Sequence, residues 1–208
     1  NVSVGVYLLQ STNLKAVIDS LFTPLQCYWA FTRLGQFTGG VLTVPTDPVL
    51  TITEDDIEED SLEILSIIPP SWRVSLEYGR SWLVQDENNV AAAALADHKD
   101  FIGQQYRKTT SEDRTVRGKT ASAKEIKFSS LLNSESDALN QLSRIEDLYR
   151  EQRKPIRITG LRLLFRLFVG DAINLKADRF GLESGKNFLI TAVSEDLETE
   201  STTLELWG

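Results

Sequence analysis

The sequence predicts an α+β protein rich in β-strands, with small antiparallel β-barrel or sandwich modules, a helix-plus-hairpin unit and one long connecting helix. Two observations lead to this class. Between residues 155 and 208, short apolar runs alternate with glycine-containing or acidic turns, which is typical of a small antiparallel barrel or sandwich. Earlier in the chain, two stretches space their apolar residues at the period of an amphipathic helix.

The N-terminal part predicts a strand at residues 2–9, followed by the first helix. Residues 11–13 (Ser-Thr-Asn) offer an N-cap, because a short polar side chain accepts a hydrogen bond from the free amides of the first helical turn. Pro24 should limit the helix. The apolar stripe of this helix consists of Leu14, Val17, Ile18, Leu21 and Phe22.

An aromatic segment follows this helix and predicts a hairpin. Side chains alternate along residues 27–32, residues 33–36 read as a turn, and Phe37 opens a second strand. Cys27, the only cysteine, lies among apolar neighbours and is interpreted as a small core hydrophobe, since a buried thiol packs like one. We expect residues 1–50 to form this α+β unit.

The segment from Glu54 to Asp60 carries an acid at every position except Ile57. Its carboxylates could hold a cation. A Ca²⁺ loop needs oxygen ligands at alternating positions and a glycine at its sharp turn, and neither pattern is present. The favoured interpretation is a solvated helical turn, because acids stabilise the positive N-terminal end of a helix.

The central part, residues 51–132, is expected to be a β-rich module with a polar hairpin insertion. Residues 62–68 and 72–83 predict two strands separated by a Pro-Pro pair, and residues 90–97 predict a short helix. The polar stretch that follows is the most basic of the chain and could bind phosphate, but acids interleave with its lysines and arginines. We therefore interpret it as a pair of extended strands with solvated edges.

The C-terminal part, residues 133–208, predicts a capped helix followed by the strands of a β-barrel. A Ser/Asp-rich cap precedes an apolar stripe, and Pro155 bounds the helix. The stripe consists of Ala138, Leu139, Leu142, Ile145, Leu148 and Tyr149. We expect this helix to pack on a sheet and to join two β modules. Residues 163–169 are apolar on both faces of a predicted strand, so they lie inside the domain or under another chain.

The composition argues against several classes of function. With 22 basic and 30 acidic residues, the net charge is −8, so the chain as a whole has no attraction for nucleic acid or anionic membrane. His98 is the only histidine, which excludes a His-rich or Cys-rich metal site. No apolar run approaches the ~20 residues of a membrane-spanning helix. The chain contains no methionine, and we expect it to be part of a longer or processed polypeptide.

Catalytic motifs are also missing from the sequence, which contains no nucleophile elbow, phosphate-binding loop or dinucleotide fingerprint. Two acidic pairs could in principle cleave a glycosidic bond, and three aromatic residues could stack a sugar. The acidic pairs are Glu77 with Asp86 and Glu195 with Asp196, and the aromatic residues are Trp72, Tyr78 and Trp82. Acids in an acidic chain and aromatics on strands have structural roles more often, so we predict no catalytic, cofactor-binding or metal residue and no cofactor.

The order of several segments resembles the tail-hub or tail-tip (baseplate hub-like) structural proteins of long-tailed bacteriophages and prophages. The resemblance covers most of the chain from about Asn13 onward. The segments that carry it are YWAFTRLG at 28–35, PPSWRVSLEYGRSWLVQ at 69–85, the helix at Ala138 leading into VGD at 169–171 and RFGL at 179–182, and TLELWG at 203–208.

This resemblance implies a structural virion protein, not an enzyme. Such hubs assemble in the host cytoplasm as homo-oligomeric rings, often trimers, at the distal end of the tail, and they bind tube, distal-tail and fibre proteins. It implies no catalytic residue and no sequence-specific binding of nucleic acid. The alternative is a carbohydrate-binding or glycan-degrading domain of a tail fibre or cell-wall protein, which would require a groove with two facing carboxylates and a flanking tryptophan. A bacterial secretion spike is a third interpretation with the same assembly logic.

Overall fold

A computed structural model describes residues 2–8, 10–86, 89–91, 93, 95–161 and 163–208. These residues form four α-helices and eleven strands. In chain order the elements are α1 (Leu14–Phe22), β1 (Cys27–Phe31), β2 (Phe37–Val41), β3 (Leu50–Ile52), β4 (Glu63–Ile64), β5 (Ser71–Tyr78), α2 (Ala96–Gly103), β6 (Arg107–Glu112), α3 (Arg114–Lys119), β7 (Lys124–Ser129), α4 (Glu135–Tyr149), β8 (Ile156–Gly160), β9 (Ala172–Leu175), β10 (Lys186–Asp196) and β11 (Ser201–Trp207).

The strands form three sheets with the orders β1-β2, β3-β9-β10-β11-β8-β4 and β6-β5-β7. The predicted α+β, β-rich class is confirmed. Among the described strands none closes a barrel, because β3 and β4 are the two edges of an open sheet. The larger sheets are also mixed, since β3 runs parallel to β9 and β7 parallel to β5.

The chain divides into two compact units, each made of two separate stretches. The first unit comprises Asn1–Gln26 and Pro70–Glu151, and the second comprises Cys27–Pro69 and Gln152–Gly208. These boundaries differ from those of the three predicted segments. Helix α1 belongs to the first unit and the β1-β2 hairpin to the second, whereas the prediction placed both in one N-terminal unit.

In the first unit, α4 packs on the sheet through β5 and β6. Val74 and Leu76 of β5 lie on one sheet face and are buried, as is Leu142 of α4. Ser134 caps the helix, because its side-chain oxygen accepts a hydrogen bond from the amide of Asp137 at 3.2 Å. The prediction that this capped helix packs on a sheet is confirmed.

Three predictions for the first unit need correction. Strands β6 and β7 do not form a hairpin, because both pair with β5 and the chain passes through α3 between them. Within the described residues 2–8, the predicted N-terminal strand is a single bridge between Val4 and Leu132. The predicted helix at residues 90–97 lies partly outside the described residues, and α2 begins only at Ala96.

The second unit is built on the six-stranded sheet. Its core consists of side chains from β3, β8, β9, β10 and β11, together with apolar residues of the connecting loops. The largest of these fully buried side chains is that of Phe188 on β10. The acidic segment begins with a 3₁₀ turn at Glu54–Asp56, and the amide of Thr53 before it donates to Asp56 Oδ2 at 2.9 Å. The interpretation of this segment as a helical turn is confirmed.

The strand predicted at residues 163–169 is wrong. This stretch contains a 3₁₀ turn at Leu164–Arg166. Leu164 and Leu167 are buried, whereas Phe165 and Phe168 are exposed. The buried and exposed positions each recur at a spacing of three residues, which is the period of a 3₁₀ helix and not the two-residue period of a strand.

Candidate functional site

An exposed cluster of aromatic rings lies on one face of the β1-β2 hairpin. Directly paired residues of two strands share a face, and here Phe31 pairs with Phe37 and Trp29 with Gly39. The ring centroids of Trp29, Phe31 and Phe37 lie 6.0 to 6.1 Å from one another. Phe31 is nevertheless 62% exposed and Phe37 51% exposed. With Val41, which is also exposed, these residues form what we call the aromatic face.

The opposite face of the hairpin is held by Tyr28. Its side chain lies against Gly40, its pairing partner on β2, and against Gly170. A Cβ atom added at Gly170 would lie 2.6 Å from Tyr28 Oη, so glycine is needed at that position. Burial of the hydroxyl, together with the negative charge of Asp171, raises the pKa of Tyr28. The tyrosine therefore fixes the hairpin to the loop before β9.

The hairpin turn is held by Arg33. Its Nε donates to Glu195 Oε1 at 2.5 Å, and its Nη2 donates to the carbonyl oxygen of Phe165 at 2.5 Å. The guanidinium carbon lies 4.3 Å from the ring centroid of Phe165 and 4.7 Å from that of Phe168. A planar guanidinium can stack on rings and bind a carboxylate at the same time. These four residues, the Arg33 cluster, tie the turn to β10 and to the 3₁₀ turn.

A groove of about 470 Å³ runs beside the hairpin. Trp29 and Phe31 form one wall, and Thr191 and Val193 of β10 line another side. Glu195 is the carboxylate among the lining residues, and it is paired with Arg33. The groove therefore has the flanking tryptophan of a glycan-degrading site without a pair of facing carboxylates.

The predicted acidic pairs have structural partners. Asp196 accepts hydrogen bonds from the amides of Glu198 at 2.9 Å and Thr199 at 3.3 Å, which hold the pKa of its carboxyl below the ordinary value. Burial by itself raises the pKa of Glu77, but hydrogen bonds from Lys127 and Ser129 outweigh it and lower that pKa.

The three aromatic residues of the predicted sugar platform do not form one surface. Trp72 and Tyr78 lie six residues apart on β5, which corresponds to about 20 Å along a strand. Tyr78 is buried, and Trp72 stacks with Arg117 at 4.5 Å. Trp82 lies in a loop, where its ring contacts that of Tyr7 at 5.9 Å.

The described part of the chain contains no group of three or more His, Cys, Asp or Glu side chains placed to hold a metal ion. None of its helices is long and apolar enough to cross a membrane. Cys27, the only cysteine of the sequence, is a half-buried thiol at the start of β1.

No protein-family model matches the chain, and no curated protein matches it. Several solved structures are similar to it. A tail protein from Neisseria meningitidis has 14% identity and a TM-score of 0.46, with 89% of this chain and 52% of that chain covered. A prophage tail protein from Shewanella oneidensis has 10% identity and a TM-score of 0.40, with coverages of 87% and 49%. The virion of a gene transfer agent particle has 12% identity and a TM-score of 0.44, with coverages of 78% and 32%.

This chain therefore spans about a third to a half of the length of these solved chains. All three are tail or virion proteins, so the likeness to phage tail proteins that the sequence indicates is confirmed as a likeness.

Proposed function

We propose that the chain is a structural component of a bacteriophage tail tip or hub that assembles through protein–protein contacts. The observation that carries this proposal is the aromatic face. Soluble domains rarely leave large apolar surfaces in contact with water, and such surfaces mark interaction sites. Aromatic side chains are the usual anchors of protein interfaces, because they bury a large area with few rotatable bonds.

The anchoring of the hairpin supports the same function. Arg33 fixes the turn and Tyr28 fixes the opposite face, so the three rings are presented by a strand pair whose position is already set. A preorganised surface loses little conformational entropy on binding, which favours tight assembly.

The proposed partners are other tail proteins, namely tube, distal-tail and fibre proteins, and further copies of the chain in a homo-oligomeric ring such as a trimer. The proposed location is the tail of the virion, after assembly in the cytoplasm of the bacterial host. No catalytic activity is proposed.

One observation favours the alternative, a carbohydrate-binding domain. Exposed rings such as those of Phe31 and Phe37 can stack on sugars as well as on protein side chains. A glycan-degrading activity has less support, because Glu195 is bound to Arg33. In the tail-hub interpretation, the purified chain should release no reducing sugar from bacterial envelope material.

Light scattering over a range of concentrations tests the proposed function. We expect the chain to self-associate and the double variant Phe31→Ser with Phe37→Ser to be monomeric while keeping its circular dichroism spectrum. Leu197→Ser is the control, because Leu197 is 83% exposed but lies in the turn between β10 and β11. A monomeric wild-type chain that binds bacterial envelope glycan through the aromatic face would instead establish the alternative.

A further inference from the structure

Arg80, just after β5 in the first unit, is a half-buried cation that has no anionic partner among the residues that the structure describes. Its guanidinium carbon lies 4.0 Å from the ring centroid of Trp82 and 5.6 Å from that of Tyr106. It forms no hydrogen bond or ion pair with any residue that the structure describes, and its Nε is shielded from solvent. Two other arginines, Arg73 and Arg179, also have a shielded Nε without a hydrogen bond. Unlike that of Arg80, each of these Nε atoms lies near a carboxylate oxygen, at 3.3 Å for Arg73 and 3.6 Å for Arg179.

An open cavity of about 320 Å³ adjoins Arg80. Trp82, Tyr106 and Tyr7 supply aromatic surface, and hydroxyl-bearing residues, Ser20 and Thr23 among them, supply polar atoms. Asp19 also lines this cavity. A charged group that loses water without gaining an acceptor is costly, and stacking on rings compensates only in part. An anion would supply the acceptor that Arg80 Nε lacks among the described residues.

We propose that Arg80 is a carboxylate-binding residue and that its ligand is an acidic side chain of a partner protein, seated on the guanidinium beside Trp82 and Tyr106. The planar guanidinium matches the two oxygens of a carboxylate in a bidentate pair. The cavity offers a single cation and has Asp19 in its wall, so it suits a singly charged carboxylate better than a doubly charged phosphate.

The surroundings of the cavity select a protein chain as the source of the carboxylate. Val6 and Leu8 line the cavity and are exposed, and Leu83 and Val84 beside Trp82 are exposed as well. A free ion would leave this apolar surface in water, whereas an acidic residue with apolar neighbours would cover it. The inference rests on the proposed function in one respect, namely that the partner is another tail protein. It does not depend on the aromatic face, because that face belongs to the other unit.

The test is nuclear magnetic resonance of the arginine Nε–Hε groups in the full chain at constant ionic strength. The probes are acetyl-Leu-Glu-Leu-amide, acetyl-Leu-Gln-Leu-amide and sodium acetate. We expect the Glu peptide to shift the Arg80 signal with saturation, and the Gln peptide and acetate to bind at least about tenfold more weakly. Arg80→Gln should abolish binding. Arg73→Gln, which removes an arginine that already has carboxylate partners, should leave it unchanged.

Three results would overturn the inference. Equal binding of the two peptides would show that the carboxylate is not recognised. Acetate binding as tightly as the Glu peptide would show a site for small anions rather than for a protein chain. Loss of binding in Asp19→Asn would also contradict it, because removing that like charge should strengthen the binding of a carboxylate. Each variant is first compared with wild type by thermal melting. None of these results alters the self-association expected from the aromatic face.

Discussion

Replacing Leu142 with Asp tests whether α4 is held in place by its packing on the sheet of the first unit. Leu142 is 4% exposed on the helix face that meets β5 and β6. Removing a buried leucine side chain costs about 2 to 5 kcal/mol. An unpaired carboxylate in the same place adds roughly 3 to 5 kcal/mol. The sum, about 5 to 10 kcal/mol, is as large as the whole net stability of a typical domain, so the first unit should not fold.

Leu139 provides the matched control. It lies one turn earlier on the same helix and is 48% exposed. Leu139→Asp therefore introduces the same charge and the same change in helix propensity, but its carboxylate stays in contact with water. Its cost should be about 0.5 kcal/mol. Urea titration followed by far-UV circular dichroism measures both variants. A soluble Leu142→Asp protein that melts cooperatively near the wild-type midpoint would refute the packing assigned to α4.

Three further predictions concern single residues. Arg33→Ala should lower the free energy of unfolding by about 1 to 2 kcal/mol, measured by urea titration. Arg33→Lys should restore only part of this free energy, since lysine keeps the charge but cannot stack on the rings as a planar guanidinium does. Asp113 caps α3 through the amide and hydroxyl of Thr115, which hold its pKa below the ordinary value. The cap therefore stabilises the folded chain at neutral pH, and this contribution is lost as the pH falls through the lowered pKa. Asp113→Asn should keep the cap and remove this contribution to the pH dependence, which thermal melts at pH 7 and at acidic pH would measure. Gly160→Ala should destabilise the folded chain by about 1 to 3 kcal/mol, because the new Cβ would lie 2.6 Å from the carbonyl oxygen of Asp56. The control is Gly118→Ala in α3, whose Cβ would meet nothing within 4 Å and should stabilise the helix. Unchanged melting temperatures for both variants would contradict this prediction.

Elements defined by local chemistry could be predicted from the sequence. Asn13 caps α1 by accepting from the amide of Lys15 at 2.9 Å, and Ser134 caps α4 in a similar way. The aromatic hairpin follows from side-chain alternation and from a turn in which Gly35 adopts a φ of +72°, a conformation that glycine accepts readily. In each case a few consecutive residues contain the whole signal.

Pairings between distant segments could not be predicted in this way. In residues 163–169 nearly every side chain is apolar, so the sequence shows no period, and only the core decides that Leu164 and Leu167 face inward. The order β6-β5-β7 depends on which edges of β5 the later strands reach, and no local pattern contains that choice. The cavity beside Arg80 could not be predicted for the same reason, because Tyr106 and residues near the N-terminus complete it.

The six-stranded sheet of the second unit is built from two stretches of the chain that lie far apart in the sequence. Strand β4 pairs with β8, and the bond between Glu63 and Arg157 joins residues 94 positions apart. At Ile68 and Arg153 the two stretches exchange a pair of backbone hydrogen bonds of 2.9 and 3.0 Å. Most of the chain between them belongs to the first unit and can pair over shorter separations, so it is expected to fold early. Once compact, it would bring the two halves of the sheet together at a lower entropic cost than an open loop of the same length, which makes the larger sheet the late step of folding.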